Sequence, residues 1–264
     1  MIKYFFVTKN TIAEFFAYRL NFFLWRLRVI VSVLITYFLW NAVFTGTDRL
    51  FNYESTEMFT YIILLTFVTS LTLSTQTHRV AEEINNGSLS NFLVKPISYI
   101  RYNFFRDIGD KAINTVCSFF EIALLLVFLK PLFFWQSDPL IIFLFFISLF
   151  FSVLLYFFIS LILSFIGFWS REVWAPRFIF FIIVAFLAGT YFPLDILPLP
   201  LFRFLEFLPF TYLIFFPLKI YLGSIDPVVI TKGFIISAIW VVILYYLSRK
   251  IWRKGLKVYT AEGH

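Results

Sequence analysis

Glu121 is the residue that most invites chemistry, because it stands alone as a charge in the apolar run from Ala112 to Leu129. A carboxylate at the centre of a membrane span costs about 3 kcal/mol on insertion scales. Asn114, Ser118 and Glu121 fall at i, i+4 and i+7, which is one face of a helix. Two readings stay open. The stripe could line a translocation path or proton route, or it could be an interhelical hydrogen-bond clamp with Glu121 protonated. The balance leans to the clamp, since no second acid or base inside a span pairs with Glu121.

Enzyme chemistry finds little else. No Gly-x-x-x-x-Gly-Lys-Ser/Thr occurs, so the chain cannot hydrolyse ATP by a P-loop mechanism. His78 and His264 are too far apart and too unaccompanied for zinc. Neither a Gly-x-Ser-x-Gly elbow nor a plausible Ser/His/Asp set is present. The single cysteine, Cys117, lies in an apolar block and excludes a disulfide framework. The expectation is a chain with no catalytic residue, no metal and no cofactor of its own.

The elements that position Glu121 follow from composition. With 61% hydrophobic and 14% charged residues, the chain has too little polar surface to coat a globule in water. Lipid is the fitting solvent for much of it. The net charge of +7 does not point to nucleic acid, because the basic residues sit singly at the edges of apolar blocks. The N-terminus does not read as a cleavable signal, since its apolar run follows a polar-interrupted stretch and lacks a small-residue cleavage site.

Six spans are predicted, at residues 29–47, 58–77, 112–129, 139–170, 178–194 and 228–248. The uncharged run 139–170 is too short for two crossings and a turn, so it reads as one tilted helix. Residues 195–223 imitate a seventh span, but five of the ten prolines crowd in or just before them: Pro193, Pro198, Pro200, Pro209 and Pro217. Each proline removes a backbone donor and resists the helix interior. This stretch reads as a re-entrant helical hairpin. Six spans with both termini cytoplasmic place 17 of the 22 Lys and Arg inside, and a seventh would strand the basic tail from Arg249 to Lys257 outside.

Residues 1–24 read as one amphipathic interface helix, with Phe5, Ile12, Phe16, Leu20 and Phe23 on one face and Lys3, Asn10, Glu14 and Asn21 on the other. A soluble helix packed on a partner is the alternative. Ser148, Ser152, Ser160 and Ser164 in the fourth span, and the Thr- and Ser-rich end of the second, read as close helix packing. Between spans two and three, Glu82, Glu83, Asn86, Gly87, Lys95 and Pro96 mark a polar elbow. Gly87 is placed to end one helix and Pro96 to bound a second, very short one. A rigid short helix held between two stops suits a lever for a cytosolic partner, and a plain solvated connection suits the spacing equally.

Those residues carry a resemblance. The chain resembles the six-helix permease subunits of type-2 ABC transporters nearly end to end. The similar stretches are Ala17 to Trp25, Gly87 to Ser98 with Arg106-Asp107 following, and the tail Trp252 to Tyr259. Most specific is the run Phe192-Pro193-Leu194-Asp195-Ile196-Leu197-Pro198, continued by Leu208-Pro209-Phe210 and by Phe216-Pro217 through to Gly223. The resemblance implies an all-α membrane protein in the bacterial inner membrane, paired with a second permease copy, identical or related, and docked on two cytosolic ABC ATPase subunits that hold ATP and Mg. It implies that 82–96 is the coupling helix, that residues 1–24 form the interface helix, and that Phe192, Pro193, Asp195, Pro198, Pro209, Phe210 and Pro217 belong to the outer gate. Export by alternating access is the function it implies. An ion-coupled secondary carrier, or less favourably a membrane-integral enzyme, is the competing reading. A carrier would show internal repeats and several buried charges, and the enzyme would need clustered His, Asp or Glu at the interface.

Overall fold

A computed structural model of the chain describes residues 2–17, 19–223 and 225–260. It is all-helical apart from one two-residue β-hairpin, in the order α1 (Ile2–Ala17), α2 (Arg19–Val43), β1 (Arg49–Leu50), β2 (Tyr53–Glu54) and α3 (Ser55–Thr72). Next come α4 (His78–Asn85), α5 (Ser90–Leu93), α6 (Tyr99–Leu129) and α7 (Pro139–Ser164), which a 3-10 turn prolongs through Phe168. The chain ends with α8 (Trp174–Leu187), α9 (Leu199–Leu205), α10 (Phe215–Leu222) and α11 (Pro227–Val258). Among the described residues, five helices are long and apolar enough to cross a membrane: Phe22–Val43, Ser55–Thr72, Tyr99–Leu129, Pro139–Phe168 and Pro227–Val258.

Helices α7 and α11 start alike. Asp138 accepts from the Leu140 amide at 2.8 Å and Pro139 fills the first turn, while Asp226 accepts from Val228 at 2.8 Å beside Pro227. An acidic cap satisfies an orphan amide, and proline occupies a position whose N–H has no helical partner. These caps fix both starts at one end of the bundle, here the hairpin end. The opposite end, here the elbow end, carries α1, α4, α5 and the last turns of α11. Helix α3 lies at the centre, packed against α2, α6, α7 and α10. Much of its surface is buried, including Met58, Tyr61, Ile62, Ile63 and Val68.

Several expectations need correction. The interface helix does not run as one piece through residue 24, because residues 19–24 already belong to α2. In α2, Arg26, Val33, Tyr37 and Trp40 recur on one buried face, continued just past its end by Phe44, and that periodicity captures the chain from Arg19 onward. Tyr18, His264 and the side chains of Phe16 and Asn21 lie outside the described residues. Helix α1 turns Thr11 inward against α6, with Thr8 Oγ1 donating to the Phe105 carbonyl at 2.9 Å and Tyr4 stacked on Phe105 at 5.2 Å. Phe5 stays exposed.

The second span ends at Thr72 rather than residue 77, for reasons that lie in the site. The third begins at Tyr99, so Arg106, Asp107, Asp110 and Lys111 are buried groups on a helix and not parts of a solvated loop. The fifth expected span shrinks to α8, whose 14 residues measure about 21 Å against roughly 30 Å of hydrocarbon. Gly189, at φ 85°, ends it, and a Cβ there would meet the Tyr61 hydroxyl at 2.8 Å.

From Asp195 the chain follows an indirect course. Ser152 Oγ donates to the Tyr212 carbonyl at 2.7 Å. Ser152 lies 13 residues into α7, about 20 Å from that helix's start. Trp240, equally far into α11, donates to the Phe207 carbonyl at 2.9 Å. Helix α10 then returns to the hairpin end, where Gln136 Nε2 donates to the Tyr221 carbonyl at 2.9 Å. Irregular backbone thus lies deep between α7 and α11, bonded by protein, as a low-dielectric setting demands.

Near the elbow end, Gly255 of α11 lets the Phe168 ring close in, since a Cβ there would lie 2.1 Å from it. Alanine normally gains about 1 kcal/mol over glycine within a helix. Here Gly255→Ala is expected to lose about 1–3 kcal/mol by overpacking. Thermal unfolding of the detergent-solubilised protein, followed by tryptophan fluorescence, should show a lowered midpoint. An unchanged or raised midpoint refutes the close fit.

Candidate functional site

Glu121 meets a partner that sequence reasoning missed. Arg26 on α2 engages it through two parallel bonds: Nε reaches Oε1 at 2.6 Å and a terminal nitrogen reaches Oε2. The other terminal nitrogen donates to Asn114 Oδ1 at 3.1 Å and to Ser70 Oγ at 3.4 Å. Both charged residues are buried. Helices α2, α3 and α6 are therefore joined through one guanidinium. Two of the three stripe residues, Asn114 and Glu121, come together there, whereas Ser118 is buried but donates to its own helix at the Thr115 carbonyl. The expectation that Glu121 has no charged partner is wrong, and the clamp reading gains from the correction. Arg26 precedes the uncharged run and passes for an interfacial cation. Its helical spacing with Val33, Tyr37, Trp40 and Phe44 was the signal that could have found it.

A second knot explains the early end of α3. Lys111 Nζ donates to the Thr72 and Ser74 carbonyls at 2.9 and 2.5 Å and lies 3.3 Å from Asp107 Oδ2. The Gln76 amide donates to Asp107 at 3.2 Å, and its side chain donates to Asp110 at 2.8 Å. Charged groups thus take over the backbone bonds that another helical turn would have made, and the segment from Leu73 to Gln76 stays unwound. Such irregular backbone persists inside a bundle only where protein or water covers it.

Beside this segment opens a cleft of about 1050 Å³, bounded by the α2 side chains Phe22, Trp25 and Arg28 and by α8. Polar groups gather at its elbow end, including His78, Arg79, Glu82, Arg171 and Glu172, and aromatic groups such as Phe180 and Phe181 lie deeper. Arg177, in the first turns of α8, bridges to α7 and the unwound strand. It donates to the Ser160 carbonyl at 3.2 Å, Ser160 Oγ at 3.1 Å, Ser164 Oγ at 2.5 Å and Thr77 Oγ1 at 3.4 Å. The fourth-span serines therefore do more than let backbones approach: Ser152, Ser160 and Ser164 each bond to another element. At the cleft mouth His78 is exposed. Desolvation by the surrounding protein, then the cations Arg177 and Arg79, lower its imidazole from the ordinary range.

The elbow is less free than a loop. Helix α4 lays Val80, Ala81 and Ile84 against the end of α7, and Asn85 Nδ2 donates to the Arg171 carbonyl at 2.8 Å. Gly87 follows the α4 cap at φ 77°, a conformation glycine adopts without steric cost. Glu83 is half-buried and spoken for. It pairs with Arg106 at 2.6 Å and accepts from the Tyr99 hydroxyl. Glu82 and Asn86 are exposed, and Asn86 Oδ1 accepts from the Ser88 amide at 3.0 Å. Beyond α5, Val94 is 84% exposed, and Lys95 and Pro96 are exposed with it.

At the hairpin end, Asp195 accepts from the Tyr53 hydroxyl at 2.8 and 3.0 Å and pairs with Lys219 at 3.0 Å. Burial, then the Asp195 carboxylate, pushes the Tyr53 phenol well above its ordinary range. Pro193, Pro209 and Pro217 are buried, Phe192 and Phe210 half-buried, and Pro198 is exposed. These seven sequence-predicted residues do not converge. Only Asp195 joins a polar cluster, and Phe210 packs edge-on against Phe180 of α8 at 5.8 Å.

A family model described as ABC-2 family transporter protein matches residues 30–263. The chain belongs to the ABC-2 transporter family. No curated protein matches it. It is accordingly a multi-pass membrane protein and the membrane component of an ABC transporter, from a family of permease domains without an ATPase site of their own. ABC ATPase partners follow from that membership. Within the ABC-2 frame, no group of three or more His, Cys, Asp or Glu among the described residues is placed to hold a metal.

The Arg26–Glu121 pair generates a sharp test. Breaking one side of a buried ion pair costs about 3–5 kcal/mol, whereas replacing both sides with apolar residues is often neutral. Arg26→Leu and Glu121→Leu alone should each reduce the yield of monodisperse protein and lower its unfolding midpoint, and the double variant should recover most of the loss. Three variants that behave alike would mean the pair does not hold the helices.

Proposed function

We propose that this chain is the permease half of an ATP-driven exporter, driven by two cytosolic ATPase subunits and paired with a second permease copy. The elbow is the observation that carries the reading. It is bonded to α6 and packed on the end of α7 on one side and presents Asn91, Leu93, Val94, Lys95 and Pro96 to solvent on the other. A lever needs a stiff mount and an accessible tip, and this segment has both. A plain solvated connection would have no reason to bury Leu89 or to hold Glu83 in an ion pair with Arg106.

In this reading the elbow end faces the cytoplasm of a bacterial inner membrane, with both termini on that side. Helix α8 makes the fifth of six crossings, and the Asp195–Leu222 stretch dips back as an outer gate. The cleft between α2 and α8 is the inward-facing part of the path. Its polar mouth and aromatic depth suit a cargo with a polar end and an apolar body. ATP and Mg belong to the partner subunits, whose closure pushes the elbow and reorients the spans.

The test is biochemical. Co-expressed with its ATPase, the permease should co-purify in a complex showing vanadate-sensitive ATP hydrolysis. Val94→Asp with Lys95→Glu should abolish that association and leave the permease itself folded. A preparation that transports fully with no nucleotide-binding partner would overturn the proposal in favour of an ion-coupled carrier.

A further inference from the structure

The elbow has a third attachment, made by the end of the chain. The Tyr259 hydroxyl donates to the Gly87 carbonyl at 2.7 Å and accepts from the Ser90 amide at 3.1 Å. Those two groups flank the turn that joins α4 to α5. Helix α11 delivers Tyr259 to this place by its length. Its 32 residues measure about 48 Å against a hydrocarbon layer of roughly 30 Å, so some 12 residues project beyond it. Along that projection Trp252 stacks on Tyr99 at 5.0 Å and 13°, and Gly255 admits the Phe168 ring. The end of α11 is thereby wedged among the start of α6, the end of α7 and the elbow.

Tyr259 fastens this turn and does not build it. The Ser90 amide also reaches the Gly87 carbonyl at 3.2 Å, and Ser90 Oγ donates to the same carbonyl at 2.8 Å. The Leu89 amide bonds to the Glu83 carbonyl at 2.8 Å. The elbow therefore keeps its shape through its own bonds, and the phenol adds a link to α11.

We propose that Tyr259 is a positioning residue that makes the elbow and the last span move as one body. A push on the 91–96 tip then reaches the outer side by two routes. One runs through Glu83 and Arg106 into α6, and the other through Tyr259 into α11. The proposal rests on the permease reading above and adds to it how force is divided once it enters. Removing the hydroxyl should disconnect the second route and spare the first.

The experiment uses the full permease–ATPase complex in liposomes, in a Cys117→Ser background. Spin labels at Leu132, just past α6, and at Val228, at the start of α11, are each measured against Leu140 of α7. All three positions are exposed. In the parent, vanadate-trapped ATP should shift both distances. In Tyr259→Phe the Leu132 distance should still shift and the Val228 distance should not. Hydrogen exchange at the Ser90 amide should rise roughly tenfold with the loss of one bond. Trp252→Leu, which loosens the same helix end without touching the hydroxyl, should show the same selective loss and carries the test if Tyr259→Phe fails to assemble. An undiminished Val228 shift in these variants overturns the proposal, as does joint loss of both shifts in an assembled complex. A parent complex that shows neither shift defeats the permease reading itself, so the two failures are told apart.

Discussion

The bond between Arg26 and Glu121 constrains more of this molecule than any other single contact. Two opposite charges in hydrocarbon are each costly, and neither is tolerable alone. Once Glu121 sits inside α6, a cation must come to it. Arg26 can do so only if α2 begins early and lies against α6 and α3. Asn114 and Ser70 then take the donors that Glu121 leaves unused, which matters because the remaining desolvation cost falls only as the guanidinium is satisfied. A polar pair at membrane depth thus settles which helices are neighbours, a choice that apolar side chains cannot make when lipid is as good a solvent as a neighbouring helix.

The same reasoning explains what the sequence made legible. Long uncharged runs name an apolar helix, and the run at residues 228–248 lies within one, while those at 29–47 and 139–170 overlap helices that stop at Val43 and Phe168. The proline-rich stretch was recognisable because each ring removes a donor, and it does fold irregularly at depth. Helix ends inside the bundle were not legible. Thr72 closes α3 because Lys111, 39 positions away, captures its carbonyl, and no local pattern announces that bond. Nor could spacing reveal that Asp107, Asp110 and Lys111 are buried, since a charged run before a span reads as a solvated approach. Glu121 was found as a site, whereas Arg26 was hidden by its place at a span edge, where cations are expected to face water.

The elbow shows how little of its length is free. From α4 to Ser90 it is bonded to α6, to the segment that follows α7 and to the residue that follows α11, while in the 91–96 tip Phe92 packs back on Tyr99 and Tyr102 and its neighbours are exposed. Glu83, which as a sequence feature looked like part of a polar surface, is consumed in holding it. A joint made from Gly87 at positive φ gives a fixed angle with no side chain to clash, and flanking bonds keep that angle. Stiffness here comes from hydrogen bonds and one ion pair in a partly buried setting, where such bonds are stronger than at an open surface.

Helix α8 presents the opposite case and completes the mechanical picture. Arg177 pins its start to α7 and the unwound strand. Its end is pinned where the Tyr61 hydroxyl donates to the Gly189 carbonyl at 2.7 Å and the Phe215 amide to Ala188 at 2.9 Å. Between those ends only Val184 and Ala185 are buried, and Phe178, Ile179, Ile182 and Phe186 face outward. In lipid, apolar contact along a helix brings little net attraction, so such a helix is held by its polar ends and is free along its length. A 14-residue strut of this kind ties the elbow end to the hairpin end and offers little resistance sideways. The clamp of α2, α3 and α6 is cross-bonded through one guanidinium and does resist. The cleft lies where the stiff unit borders the loosely held one, which is where a small movement changes an opening most.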